Sequence, residues 1–404
     1  MATVTETDEE RCLLTELQSH EQVGDHKALI PLCEALGTLY QEGGELNRAE
    51  AMYWRALYLS QQLADCSAQA SAGVRLGLLC EIRGDLIQAA SFLEEALEMY
   101  RRIDNCQGEA SAYGYLGFIR QCQGDWTAAE KLHLIALGLN EKLGNQNKRA
   151  EEYVNLGNLY IVQGRFDQAH KMMDRSLELY QEIKNPQGIG NAYYGLGNLW
   201  LVHGDQARAE DCFTQGLEQH RTAGEELGIA LQCVGLGKVY WRSGRLDQAV
   251  AWFQQAVERF ERAEHWPNMA STYTYLGAVR FAQRDYQGAC MELKAALELY
   301  LGMGNKASVA DVSNRLGDAF LTGGKVEEAG RMYEQALDYY TDLGDEQGKG
   351  FAQVGLGNIA AHQRETSQAI ALFTIAAERF RKLGLREHVR RVEAAVKFVV
   401  GTRV

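Results

Sequence analysis

The chain has 404 residues, 46% hydrophobic and 24% charged, with 3 prolines and a formal net charge of −13. That acidity argues against a nucleic-acid binder and against an anionic membrane surface as target. No apolar run reaches the roughly 18 residues that would span a bilayer, and the scarce proline suits a helical chain, since an interior proline costs about 3 kcal/mol.

The opening stretch, Met1–Glu10, is acidic and polar, unlike a signal peptide. Residues 8–20 place Leu13, Leu14 and Leu17 on one helical face. Their register is that of a second helix whose first helix is absent, so an acidic tail and capping half-repeat are expected over 1–29. From there a two-residue beat takes over. Leu36-Gly37 recurs every forty residues, nine times in all, ending at Leu356-Gly357. An alanine follows each beat glycine by twelve residues, from Ala49 to Ala369. A fixed period of this size signals a repeat array, each unit packing only on its neighbours. The nine units fill residues 30–386.

Each unit reads as two helices. In the third, Ala110–Ile119 belongs to the first helix, Gly124 closes it in a left-handed conformation, and Asp125 caps the next. Gly84-Asp85 and Gly204-Asp205 repeat that pair, Gly164-Arg165 and Gly244-Arg245 keep only the glycine, and Arg284-Asp285 and Arg364-Glu365 lose it, which predicts looser turns. Linkers such as Leu143-Gly144-Asn145 are short. Beat glycine and alanine let the paired helices approach at the close end of the usual 8–10 Å or so. The bulky residue four after the alanine (Tyr53, Phe213, Phe253, Tyr333, Phe373) is expected to fill the gap to the neighbouring unit, and His133 and Leu293 depart from that preference. Residues 387–399 carry Val389, Val392, Val396 and Val399 at helical spacing, so 387–404 is expected to hold a C-terminal capping helix. The nine cysteines form no Cys-x-x-Cys pair and read as reduced thiols of a cytoplasmic protein, with Cys33, Cys80, Cys212 and Cys233 on helices where small buried residues are wanted.

Leu156-Gly157, Tyr160, Ala169 and Ser176, like Leu36-Gly37, Tyr40, Ala49, Tyr53 and Ala56, carry the spacing of the tetratricopeptide repeat, which the chain resembles over nearly its whole length. The standard unit has about 34 residues; the longer unit here is similar to those of Pins-class adaptors and bacterial scaffold proteins. The resemblance implies an all-α, right-handed superhelix (an α-solenoid) of nine 40-residue helix-turn-helix repeats with capping helices, first helices lining the concave wall. Groove positions then fall two before, and one, four and five after, the beat glycine. Units one to three present Glu34, Gln41, Glu42, Glu81 and Gln121, a polar and acidic wall. Units four and five present Asn155, Asn158, Ile161 and Val162, then Asn198, Leu201 and Val202. Later units present Lys238, Trp241 and Arg242, then Phe281, then Arg315, Asp318 and Leu321. Candidate partner-binding residues are Asn155, Asn158, Ile161, Val162, Tyr194, Asn198, Leu201, Lys238, Trp241, Arg242 and Phe281. Their amides can bond both donors and acceptors of a peptide backbone while an apolar stripe receives its side chains. The carboxylate clamp of chaperone-binding members is not expected, because Tyr194 stands where its lysine would be.

No chemistry-bearing motif competes with this. There is no Walker-type loop, no His-Glu-x-x-His and no Gly-x-Ser-x-Gly. Gly188-Ile189-Gly190 reads as a helix start, and Gly195-Leu196-Gly197 and Gly235-Leu236-Gly237 as helix interiors. The histidines are scattered and suggest no metal site. The expectation is a cytoplasmic, non-enzymatic scaffold or adaptor, without cofactor, metal, nucleic acid or membrane insertion, that binds a partner peptide or helix in its groove. Two alternatives stand. A self-assembling homo-oligomeric scaffold could use the apolar Phe398, Val399 and Val400. A small-peptide receptor resembling bacterial quorum-sensing regulators is disfavoured, since residues 1–30 are short for an effector domain.

Overall fold

The computed structural model describes residues 8–401; residues 1–7 of the acidic tail and residues 402–404 lie outside it. Helix α1 (Asp8–Val23) precedes nine pairs of first and second helices. These are α2 (His26–Glu42) and α3 (Leu46–Gln62), α4 (Cys66–Ile82) and α5 (Leu86–Arg102), α6 (Cys106–Cys122) and α7 (Trp126–Lys142). Next come α8 (Gln146–Val162) and α9 (Phe166–Glu182), α10 (Pro186–His203) and α11 (Gln206–Ala223), α12 (Glu226–Arg242) and α13 (Leu246–Arg262). The last are α14 (Trp266–Ala282) and α15 (Tyr286–Met303), α16 (Lys306–Thr322) and α17 (Val326–Asp342), α18 (Glu346–His362) and α19 (Thr366–Lys382), before α20 (Arg386–Gly401). Two compact units result, an N-terminal one ending at Trp266 and a C-terminal one beginning at Pro267.

The helix ends follow from local chemistry. Gly124 has φ +81. The Asp125 N–H returns to the Arg120 carbonyl at 2.9 Å, while Oδ1 of Asp125 accepts from the Ala128 N–H at 3.0 Å. Asp85 and Asp205 cap their helices in the same way. The turns at Arg284 and Arg364 correct the expectation of looseness. Both arginines adopt φ 64, and the N–H bonds of Asp285 and Glu365 close at 2.9 and 2.8 Å. The turn keeps its shape, and the side chain bears a left-handed conformation that costs about 1–2 kcal/mol.

Within a pair, the beat glycine is a seat for the second helix. Phe213 is fully buried, and a Cβ at Gly197 would lie 2.5 Å from its ring. Tyr53 on Gly37, Phe253 on Gly237, Tyr333 on Gly317 and Phe373 on Gly357 pack alike. The bulky residue therefore seats first in its own repeat, and in three cases it also reaches the next. Gly195 receives Met173, Gly235 receives Phe213 and Gly355 receives Tyr333.

A polar clip adds to these contacts between repeats. The Tyr160 hydroxyl donates to Glu130 at 2.8 Å, Arg165 pairs with the same carboxylate at 2.8 Å, and its guanidinium lies 4.1 Å over the Tyr160 ring. Burial and the Glu130 bond push the Tyr160 hydroxyl up to about 12; the Arg165 bond holds the Glu130 carboxyl below its ordinary range. Tyr240, Glu210 and Arg245 repeat the clip. So do Tyr40, Glu10 and Arg48, with α1 supplying the glutamate. α1 thus supplies to this clip the glutamate that a second helix supplies elsewhere.

In the N-terminal unit, α2 touches α4, α4 touches α6, α6 touches α8, α8 touches α10 and α10 touches α12; in the C-terminal unit α16 touches α18. Second helices show no comparable mutual packing among the described residues. First helices are therefore the inner layer of each unit. Cys33, Cys80, Cys212 and Cys233 are buried in the stack, and burial pushes each thiol up to about 11.

Candidate partner groove

The inner wall of the N-terminal unit is built from residues two before and one and five after each beat glycine, positions that share one helical face. Asn155 and Asn158 on α8 and Asn198 on α10 lie there half-buried. Their amides make no side-chain hydrogen bond to any described residue. Beside them Val162 and Val202 stand 55% and 51% exposed, an open apolar step between two amide rows.

The other candidates are placed differently. Ile161 and Leu201 are 7% and 6% exposed and belong to the core. They lie four residues after the glycine, and that one-residue offset turns a side chain about 100° around the helix. Tyr194 is half-buried with its ring centroid 5.7 Å from that of Phe213, so it packs within its own repeat. Lys238 and Trp241 are half-buried and engaged within the chain. Arg242 is exposed, but its Nη1 donates to the Leu201 carbonyl and ties α12 to α10. Phe281 belongs to the C-terminal unit. It meets Tyr286 edge-on at 5.4 Å and helps line a pocket of ≈ 140 Å³ with Ala278, Leu293, Arg315 and Asp318. Burial raises the Asp318 carboxyl above its ordinary range, although Tyr333 donates to it at 2.6 Å.

The wall of the third repeat is not the polar surface expected of it. Tyr115 and Phe118 on α6 are 37% and 42% exposed, at the same offsets from Gly117 that Asn155 and Asn158 hold from Gly157. They open a pocket of ≈ 270 Å³ between α6 and α8. Glu152 lines it and is paired with a buried histidine: His133 Nδ1 lies 2.8 Å from Glu152 Oε2, with 1% and 7% exposure. Asn140, 4% exposed, adds a second buried polar side chain. At the rim, Lys148 pairs with Glu151 at 2.6 Å. Burial is the largest single influence and opposes the charge on Lys148, but the Glu151 bond together with the charges of Glu151 and Glu152 raises the ammonium's pKa. Composition of the groove positions alone did not reveal this pocket; comparison of the repeats with one another would have.

Among the described residues no group of three His, Cys, Asp or Glu side chains could hold a metal, and no helix is long and apolar enough to cross a membrane.

A model described as tetratricopeptide repeat matches residues 108–182, 149–222, 229–287 and 268–342, more than half of the chain, and a second so described matches 314–382. No curated protein sequence matches significantly. Among solved structures, the signal transduction ATPase with numerous domains and a tetratricopeptide repeat sensor from Pyrococcus horikoshii is similar with TM-score 0.58 at 14% identity. The match covers 87% of this chain but only 55% of that one. A Rap protein complexed with competence and sporulation factor is similar with TM-score 0.53 at 13% identity, over 94% of this chain and 98% of that one. At such identities the likeness is one of fold.

Proposed function

This chain belongs to the tetratricopeptide repeat family, and we propose that it is a non-enzymatic adaptor gripping an extended peptide or helix of a partner protein along the inner wall of its N-terminal unit. Family members of this kind are generally protein-binding scaffolds. The observation that carries the finer reading is the row of unpaired amides, Asn155, Asn158 and Asn198, alternating with the exposed Val162 and Val202. An amide can meet a donor or an acceptor of a peptide backbone, and an apolar step beside it can take a side chain. Tyr115 and Phe118 extend the wall with aromatic surface of the kind that dominates binding energy at interfaces.

The test is a peptide-display selection on the full chain, followed by calorimetry of the enriched peptides. Asn158→Ala/Asn198→Ala, checked for unchanged helical signal and melting, should weaken binding. Each lost bond is worth about 1 kcal/mol, so a fall of roughly tenfold or more is expected. Equal binding to wild type and variant would sink the groove assignment. Self-assembly is a second reading, resting on Phe398 and Val400 at the end of α20, 73% and 48% exposed. Sedimentation velocity decides it: a concentration-dependent oligomer abolished by Phe398→Ser would favour that reading.

A further inference from the structure

We propose that the pocket between α6 and α8 is a subsite for a single guanidinium or ammonium group, carried on a side chain of the peptide that the groove binds. This inference rests on the groove reading above and names the chemistry of its partner.

The nine repeats act as one another's controls. The position of Asn140 holds an aromatic ring in most other units, and Tyr100, Tyr180 and Tyr340 each press that ring onto a glycine eight residues later, at Gly108, Gly188 and Gly348. Here the pair is Asn140 and Lys148, so both the ring and its seat are gone. The position of His133 is filled by leucine, methionine, phenylalanine or tyrosine in every other repeat, among them Leu93, Met173, Phe213 and Tyr333, and by no other imidazole. At the position of Glu152 the third, fifth and ninth units have Ala112, Ala192 and Ala352. Valine fills the place of Gly114 in several units, Val74 and Val154 among them.

These departures meet at one point. A Cβ at Gly114 would lie 2.5 Å from Glu152 Oε1, so the glycine makes room for the carboxylate. A Cβ at Gly117 would lie 2.8 Å from the His133 ring. The missing ring at Asn140 leaves the cavity open. Separate drift at scattered positions would not assemble a polar floor under a void; a shared ligand would.

The charge left over fixes the sign of that ligand. Glu152 Oε2 lies 2.8 Å from His133 Nδ1, its one hydrogen-bond partner among the described residues, whereas His133 Nε2 is buried with no partner. Glu152 Oε1 receives no hydrogen bond from a described residue, and Glu152 lines the pocket. The buried Asn140 amide is likewise without a hydrogen-bond partner among the described residues, and it too lines the pocket. Lys148 and Glu151 cancel each other at the rim, so among the residues that line the pocket Glu152 is the remaining formal charge. A buried carboxylate with a single donor is expensive, and a cation seated on Oε1 completes it. The exposed faces of Tyr115 and Phe118 at the mouth suit a cation. At ≈ 270 Å³ the pocket falls below the roughly 300–1,000 Å³ of sites that swallow a whole small molecule, and so fits one side chain.

The experiment uses the full chain and peptides enriched from an unbiased display library. Wild type should enrich arginine or lysine at one fixed position. Replacing that residue by citrulline, which keeps the shape and removes the charge, should weaken binding about tenfold or more. Glu152→Gln should lose the same factor and no longer discriminate arginine from citrulline. Asn140→Tyr/Lys148→Gly restores the ring found in other repeats together with the glycine on which it sits. It should fold at least as well as wild type, by melting temperature, and lose the basic preference. L-Arginine amide serves as the free-cation arm, and weak binding compared with the peptide identifies a peptide side chain as the source. Enriched peptides without a basic residue, or equal affinity for wild type and Glu152→Gln, would overturn the subsite while leaving the groove intact. Binding of arginine amide as tight as that of the best peptide would overturn the peptide source. Loss of peptide binding in Asn158→Ala/Asn198→Ala but not in Glu152→Gln keeps the two readings distinguishable.

Discussion

Two chemically identical substitutions should move stability in opposite directions. Gly138 lies inside α7 with nothing within 4 Å of an added Cβ. Gly138→Ala should therefore gain the ordinary helix preference of alanine over glycine, about 0.5–1 kcal/mol. Gly197 lies inside α10 and carries the same preference, but a methyl there would sit 2.5 Å from Phe213 Cε1 and 2.7 Å from Cδ1 and Cζ. Carbon atoms rest about 3.5–4.0 Å apart, so the ring must retreat by roughly 1 Å. It has nowhere to go, because Phe213 is fully buried and its other side seats on Gly235 of the next repeat. Overpacking of a closed core costs about 1–3 kcal/mol. The steric cost wins, and Gly197→Ala should lose about 0.5–2 kcal/mol net. Urea unfolding followed by circular dichroism reads both variants. Because long repeat arrays can depart from two-state behaviour, hydrogen exchange of α10 to α12 should localise the loss. The double variant with Phe213→Leu should recover part of it, a coupling of about 1 kcal/mol between contacting residues. A Gly197→Ala protein as stable as wild type would refute the seating of the second helix on the beat glycine.

Arg364→Gly should stabilise by about 0.5–1 kcal/mol, since it removes a left-handed arginine and gives back part of the gain to the unfolded chain; an unchanged urea midpoint would count against strain at that turn. His220 is buried, and burial holds its pKa below the ordinary value against the opposing pull of Glu225. The unfolded imidazole takes a proton near pH ~6.5 while the folded one does not. Its contribution is thus fully present above that pH and is lost as pH falls from there toward the folded value. His220→Phe, copying Phe380 on Gly350, should flatten the difference between urea midpoints at pH 7.5 and 5.5, and an unaltered difference would refute the assignment.

The periodic part of the structure was legible because it repeats. Leu-Gly and Ala mark the inner faces of both helices nine times over, and Asp after Gly marks the turn. The groove was legible only as far as one helical face can be read. Asn155, Asn158, Val162 and Asn198 fall on the wall, whereas Ile161 and Leu201 turn into the core because a neighbouring first helix covers that side. Arg242 could not be placed from its type, since its hydrogen bond goes to a backbone carbonyl one repeat away. Tyr115 and Phe118 were within reach of the same offsets that found Asn155 and Asn158.

Spacing between first helices links the fold to the pocket. Where the residue two before the beat glycine is itself glycine, at Gly195, Gly235 and Gly355, the large side chain of the preceding second helix slides under the first helix, and α8 with α10, α10 with α12 and α16 with α18 approach most closely. Where that residue is large, at Tyr115 and Asn155, the first helices pack less closely and the space between α6 and α8 becomes the ≈ 270 Å³ pocket. Arg315 holds the same position on α16 and lines the ≈ 140 Å³ pocket of the C-terminal unit. One position thus sets both how tightly neighbouring repeats close and whether a cavity opens between them. It follows that Asn155→Gly should draw α8 toward α6 and shrink the pocket, whereas Gly195→Asn should pry α10 from α8 without creating a charged floor. The Glu152–His133 pair joins the third and fourth repeats, and no other repeats carry His and Glu at these positions, so spacing alone makes room, and only the departures from the repeat decide what enters it.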